Sequence, residues 1–348
     1  MHQTFPLLIL CALLAMGCKK QDDPSNTEAT NQVASDRMLL VLSTPSVNDP
    51  YYASDFNSII DFHVGYANAI MGRDNVVVLA DAATMPYLEG RLPQDVLLQT
   101  NVYDIWMRDF TTVNPENPVQ FNYTWASMTR AESEEVQGSF NAFANGYNIT
   151  RSTTNLRIDG GNIVDNYAGR VVTTTRFLDD NNLTMAEGKQ QLKSLLGATE
   201  VAILPPDDET LAHSDGMVMF ADVNTLLVND YSSDPAFRTQ VLTELQNAFP
   251  GLNIVEVPVI FDNSATGSDI GSACGINLNS TATYNNLYVP TFGADNDDAA
   301  LNIIRANSTK NVVPVPANGV CIMGGSVRCL TWQLTGNNAQ RLIEAARK

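Results

Sequence analysis

Helical patterns recur along this chain every 50–60 residues or so, with one longer interval near the start, and short β-rich apolar runs fill the gaps. The helical stretches fall at 55–70, 133–147, 184–197, 234–249 and 296–308. Between them lie Val76-Val77-Val78-Leu79, Val119 to Tyr123, Val171 to Thr175, Val201 to Leu204, Met217 to Phe220, Leu226 to Val228, Ile254 to Val257 and Leu287 to Val289. Met38 to Leu42 opens the series as a buried strand. Strands alternating with helices about five times restrict the chain to an α/β fold. Two architectures suit that rhythm: a doubly wound parallel sheet, or a ring of small strand-helix units around a central channel. Asn224 and Thr225, between two apolar runs, predict a hairpin that a purely parallel sheet does not supply. The ring is therefore favoured.

The N-terminus reads as an address. Pro6 to Gly17 is apolar but too short to span a bilayer as a helix, and it resembles the hydrophobic region of a secretory signal. Ala15-Met16-Gly17-Cys18 resembles a bacterial lipobox, which makes residues 1–17 a lipoprotein signal and Cys18 the expected lipidated N-terminus. The polar stretch 19–36 has almost nothing to bury and is expected to be a flexible tether. The folded body is expected over 37–348, carried by an exported, membrane-anchored lipoprotein.

The net charge of −18 lies wholly beyond that segment, because residues 1–18 contain no charged side chain of either sign. An acidic field of this size argues against nucleic acid as a partner and in favour of cationic ligands. Removal of the signal and acylation of Cys18 would leave three cysteine thiols, Cys274, Cys321 and Cys329. In an oxidising compartment an odd count leaves one thiol over. A Cys274–Cys321 disulfide with free Cys329 and three buried thiols are both compatible with the sequence.

Four clusters carry potential chemistry: Trp106-Met107-Arg108-Asp109, Asp159-Gly160-Gly161-Asn162, His213-Ser214-Asp215, and Gly324-Gly325 leading into Cys329. Singly each has a plain structural explanation: a half-buried strand, a turn, a surface pair, a core cysteine. His63 sits among Ile59, Ile60, Phe62 and Ile70 and reads as packing. With so few histidines and no Cys-x-x-Cys, no zinc site is expected. Asp295 to Asp298 reads as a helix cap in preference to a calcium loop.

As an ordered set, these clusters resemble the guanidino-group-modifying (pentein) deiminases, specifically the agmatine deiminase and Porphyromonas-type peptidylarginine deiminase branch. That branch carries Trp-x-Arg-Asp, Glu-Gly-Gly-Asn, His-x-Asp, then a glycine-rich lead into a cysteine followed by Ile-Thr-x-Gln. Here the tail reads Cys329-Leu330-Thr331-Trp332-Gln333, and Asn277-Leu278-Asn279 precedes Tyr288-Val289-Pro290-Thr291-Phe292-Gly293. The resemblance spans about residues 100–335. It implies a five-bladed α/β propeller with its site in the central channel and no metal or organic cofactor.

It also implies roles. Asp109 and Asp215 would hold a planar guanidinium through charge-assisted hydrogen bonds, with Asn279 and Trp106 beside the substrate. Cys329 would attack the guanidine carbon, and His213 would protonate departing ammonia and then activate water. Asp159 would hold His213 in the correct tautomer. Peptidylarginine is the first expected substrate, because an exported enzyme, on the periplasmic or the cell-surface face, meets its substrate outside the cytoplasm, with agmatine as the alternative. A non-catalytic cation-binding lipoprotein is the reading from another class. Three departures from the pattern stand out: Asp159 replaces the usual glutamate, Arg328 replaces the histidine that precedes the nucleophile in agmatine deiminases, and Phe110-Thr111-Thr112 stands where Gly-Pro usually follows Trp-x-Arg-Asp.

Overall fold

The structure is a computed structural model and describes residues 30–102, 104–124, 129–208, 210–261 and 271–348. The expected signal, the lipidation site Cys18 and residues 19–29 of the expected tether lie outside the described residues.

The body starts with β1 (Leu39–Ser43), crosses through α1 (Phe56–Ile70) and returns parallel as β2 (Asn75–Ala80), followed by β3 (Leu97–Gln99). β1 and β2 are buried along their whole length. Leu40, Leu42, Val76 and Val78 enter one apolar core, and Leu39, Val41, Val77 and Leu79 enter another on the opposite face. Burial on both faces is why these strands read as unbroken apolar runs.

The same plan then recurs four times. After a short α2 (Met107–Phe110) come β4 (Thr112–Val113), β5 (Val119–Asn122), α3 (Arg130–Gly146) and β6 (Ser152–Arg157). The third unit is β7 (Val164–Asp165), β8 (Arg170–Thr174), α4 (Arg176–Asn181), α5 (Met185–Leu196) and β9 (Glu200–Leu204). The fourth is β10 (Val218–Asp222), β11 (Thr225–Asn229), α6 (Pro235–Ala248) and β12 (Asn253–Val257). The fifth is β13 (Thr281–Ala282), β14 (Asn286–Thr291), α7 (Asp297–Ala306) and β15 (Asn311–Pro316). In each, an antiparallel pair is followed by a helical crossover to a parallel third strand.

The first unit is completed from the far end of the chain. β16 (Trp332–Leu334) pairs antiparallel with β1, Val41 opposite Trp332 and Leu39 opposite Leu334, before α8 (Gly336–Ala346) ends the fold. The C-terminal strand thereby gives the first sheet the antiparallel neighbour that the other four obtain from a hairpin. Five sheets of one design result, in agreement with the fivefold rhythm of the sequence.

Helix starts are set by local chemistry. Thr129 with Glu132 and Thr184 with Glu187 form capping boxes at α3 and α5, and Asp234 with Pro235 starts α6. The expected hairpin at Asn224 is present, with Val218 opposite Val228.

Three expectations change or resolve. The polar segment does not stay a tether up to Asp36. Asn31 is fully buried and exchanges hydrogen bonds with the Val76 backbone, its Nδ2 donating at 2.7 Å and its Oδ1 accepting at 2.9 Å. Thr30 donates to Asp95, and the Gln32 amide donates to Asn75 Oδ1. An asparagine amide that satisfies a buried peptide can dock a sequence with almost nothing apolar to bury. The Asp297 carboxylate, at the start of α7, accepts from the backbone N–H groups of Phe292, Gly293 and Ala294, which fixes the loop before the helix instead of capping it. Finally, Cys274 and Cys321 are disulfide-bonded, and Cys329 is free and buried.

Candidate active site

Each of the five units contributes one short segment immediately before its first strand. Trp106 to Asp109 precedes β4, Asp159 to Asn162 precedes β7, His213 to Gly216 precedes β10, Asn277 to Asn279 precedes β13, and Ser326 to Cys329 precedes β16. The repeat therefore brings together residues far apart in sequence. An open cleft of about 780 Å³ reaches them, with His213, Asp215, Asn279 and Cys329 in its wall.

His213 lies between two carboxylates. Its Nε2 is 3.2 Å from Asp159 Oδ2 and its Nδ1 is 3.9 Å from Asp109 Oδ1. Burial would lower the imidazole's proton affinity, but Asp109, Asp159 and Asp215 overcome it and lift the pKa to about 9. Desolvation raises Asp109 to about 7; His213 opposes that shift, and Asp159 and Asp215 add to it. The resting histidine is thus an imidazolium held among carboxylates.

Local backbone geometry allows this crowding. A Cβ on Gly161 would sit 2.6 Å from His213 Nδ1 and 2.7 Å from Asp109 Oδ1, so only glycine lets the two groups approach. The Gly161 amide donates to Asp109 Oδ1 at 3.0 Å. Ala212, just before the histidine, has a left-handed φ of 55°. Asp208 Oδ2 accepts from its amide, and its carbonyl accepts from Thr174 Oγ1, so the strained residue is held from both sides.

The nucleophile loop is organised by Asn279. Its Oδ1 accepts from the backbone amides of Ser326, Arg328 and Cys329 and from Ser326 Oγ, while its Nδ2 lies 3.1 Å from Cys329 Sγ. Desolvation and the neighbouring Asp215 and Asp109 push the Cys329 thiol well above its ordinary pKa, against the opposing Asn279 and Ser326 contacts. Without a cation in the cleft, Cys329 is a neutral thiol.

Two residues expected beside the substrate also brace the nucleophile loop. Asn279 lines the cleft, but its amide is engaged by the nucleophile loop. Trp106 is not in the cleft wall; its indole covers Gly325, where a Cβ would fall 2.4 Å from the ring. Both residues shape the loop that presents Cys329. Asp109 and Asp159 stand behind the wall, and Asp215 lies in it.

Two of the three departures from the motif pattern acquire explanations. Asp159 reaches His213 despite its shorter side chain, and its Oδ1 accepts from the Thr124 amide at 3.1 Å. Arg328 donates from Nη1 to Asp215 Oδ2 at 3.2 Å and from Nη2 to the Ile163 carbonyl at 2.7 Å. The guanidinium thus braces one oxygen of Asp215, while the Cys329 sulfur lies 3.8 Å from that same oxygen. His63 is buried, with Nδ1 on the Ile59 carbonyl, as expected of a packing residue. No cluster of metal-ligating side chains occurs among the described residues.

Residues 34–334 match the Porphyromonas-type peptidyl-arginine deiminase family. The chain belongs to that family. It is 24% identical over 207 residues to a Vibrio parahaemolyticus protein, and 27% identical over 209 residues to one from Selenomonas ruminantium; both bear the name "Putative agmatine deiminase". Each match covers 51% of this chain but only 58% and 56% of the relatives, little more than half of either. Among solved structures, the C. jejuni agmatine deiminase superposes with a TM-score of 0.69 at 19% identity, over 88% of this chain and 96% of that one. The Enterococcus faecalis agmatine deiminase gives 0.68 at 16% identity, over 86% and 93%. At such identities the likeness concerns the fold, and that fold is the five-bladed pentein propeller anticipated from the motifs.

Sequence reasoning missed Arg176, Ser326 and the support given by Asn31. Arg176 carries no motif; its one legible signal is an arginine directly after an apolar strand, Val171 to Thr175, which also describes many surface residues.

Proposed function

We propose that this family member hydrolyses the guanidino group of a small cationic substrate of the agmatine type, giving a ureido product and ammonium. The observation that carries the reading is the free thiol of Cys329 sharing a cleft with His213 and Asp215, with Asp109 and Asp159 directly behind. A guanidinium entering beside Asp215 and Asp109 offsets the two charges that keep the thiol protonated, so the Cys329 proton leaves to solvent as the cation binds. The Sγ–C bond then forms. Imidazolium His213 gives its proton to one nitrogen, the C–N bond breaks and ammonia departs. Neutral His213 next takes a proton from water, whose oxygen bonds to the same carbon. The C–S bond breaks, and the hydroxyl proton returns to the thiolate. Water and guanidinium in, ureido group and ammonium out: the step balances without a cofactor.

The lining favours a substrate with no carboxylate of its own. Among the described residues of the cleft wall there is no lysine or arginine, and Asp207, Asp208 and Asp234 add negative charge to it. Free arginine would bring an unpaired carboxylate into that field. The names of the relatives point the same way. The lining sets agmatine above free arginine, and the relatives' names alone set it above peptidylarginine, reversing the order inferred from the export signal. A ureido assay across agmatine, free arginine and internal and C-terminal peptidylarginine tests this: the highest kcat/KM is expected for agmatine, and a peptide preference contradicts it. From the sequence alone we also infer export and acylation at Cys18, with a cell-envelope location.

A further inference from the structure

Arg176, the first residue of α4, reaches behind the histidine and joins four separate segments. Its Nη2 lies 3.4 Å from Asp159 Oδ2, the same oxygen that faces His213 Nε2. Nη2 also donates to the Thr124 carbonyl at 3.2 Å, Nη1 donates to the Leu211 carbonyl, and Nε donates to Asp180 Oδ2 at 3.3 Å. We propose that Arg176 is a positioning residue that fixes Asp159 and, through it, the orientation and proton affinity of His213.

The argument is geometric first. Asp159 carries one methylene fewer than the glutamate of the family motif, so its carboxylate needs an anchor to stay on the imidazole. Thr124 holds one of its oxygens and Arg176 approaches the other. Arg176 simultaneously ties down Leu211, whose neighbour Ala212 has the left-handed backbone that aims His213. One guanidinium therefore fixes both ends of the Asp159–His213 contact, using donors in a planar fork that a lysine lacks.

The charge argument follows. His213 faces Asp159 on its Nε2 side and Asp109 on its Nδ1 side, with Asp215 and Cys329 nearby in the cleft wall. Tyr123 and Asp180 lie within electrostatic reach of Asp159, and Arg328 is paired with Asp215. Among these groups Arg176 is the cation that touches Asp159. It tempers the pull of that carboxylate on the histidine proton, which His213 must give up to ammonia.

This inference rests on the deimination reading for its kinetic half only. The full-length protein has three histidines, so a 15N-histidine NMR titration resolves His213 readily, assigned by its loss in His213→Asn. Arg176→Met is expected to raise the His213 pKa by about half a unit or more. Arg176→Lys, which keeps the charge, is expected to leave that pKa near the parent value. Both variants are expected to lower kcat about tenfold with KM nearly unchanged, because Arg176 is not in the cleft wall. An unmoved titration in Arg176→Met overturns the proposal, as does a loss confined to KM. If the methionine variant fails to fold, the lysine variant decides: parent-like kcat overturns positioning. The titration needs no substrate, so the absence of turnover in the parent protein would count against deimination and not against the role of Arg176.

Discussion

His213 Nε2 lies 3.2 Å from Asp159 Oδ2, so the shortened carboxylate still meets its histidine. On the other side of the ring, Gly161 lies against Nδ1, where any side chain would collide with His213 and Asp109.

Asp159→Asn is expected to lower kcat about 100-fold or more, because the amide neither stabilises the imidazolium nor fixes one tautomer. Asp159→Glu restores the usual family residue yet is expected to reduce activity too. The Asp159 side chain is 1% exposed, already bound to Thr124 and approached by Arg176, so an added methylene overpacks the site at about 1–3 kcal/mol. Steady-state kinetics and urea unfolding on both variants check this pair.

The pH dependence follows from two shifted groups. Asp109, raised to about 7, must be ionised to attract the guanidinium, so kcat/KM should rise through about pH 7. His213, raised to about 9, must hold a proton for the leaving ammonia, so kcat/KM should fall through about pH 9. The stability contribution of the raised histidine runs the same way: it is fully present below pH 6.5 and is lost as pH passes about 9. A pH–rate profile paired with thermal melts at pH 7 and pH 10 measures both.

Arg328 and Asp215 form an ion pair with side chains only 7% and 2% exposed. Removing one partner of such a pair strands the other charge and costs about 3–5 kcal/mol. Arg328→Met should therefore lower the urea midpoint and also weaken substrate binding, since Asp215 loses the group that fixes it. Unchanged stability would show that water compensates Asp215 fully.

Gly161→Ala places a methyl against both His213 and Asp109. A displacement near 1 Å is enough for about a 100-fold loss of turnover. The loss should appear in kcat with little change in secondary structure by circular dichroism.

Much of the fold was legible because helix and strand periodicities repeat with it. Five of the six long helices begin within three residues of the stretches marked out by apolar spacing, aided by capping threonines and aspartate; α8 was not marked out. Most strands that escaped notice are short or polar: β4, β7 and β13 have two residues each, β3 has three, and β6 (Ser-Thr-Thr-Asn-Leu-Arg) is largely exposed, while β15 (Asn-Val-Val-Pro-Val-Pro) carries two prolines that read against a strand. The site motifs were legible as types, yet their common phase was not read. Asp109, Asp159, Asp215, Asn279 and Cys329 each lie within five residues of a unit's first strand, which is why they meet. Roles were harder to read than positions. Trp106 and Asn279 were placed beside the substrate by the motif resemblance alone, and their packing on Gly325 and hydrogen bonds to three amides of the nucleophile loop, which only the structure shows, add a scaffold role. Arg176 was invisible, since nothing local distinguishes an arginine that reaches three other segments.

The central claim is that Cys329 becomes covalently bonded to the guanidine carbon of the substrate. Acid quenching during turnover of agmatine, followed by peptide mass spectrometry, tests it most directly. The account predicts that the peptide containing Cys329 gains the mass of the substrate less ammonia, and that Cys329→Ala releases no ammonia. Ammonia release by Cys329→Ala at the parent rate would contradict it.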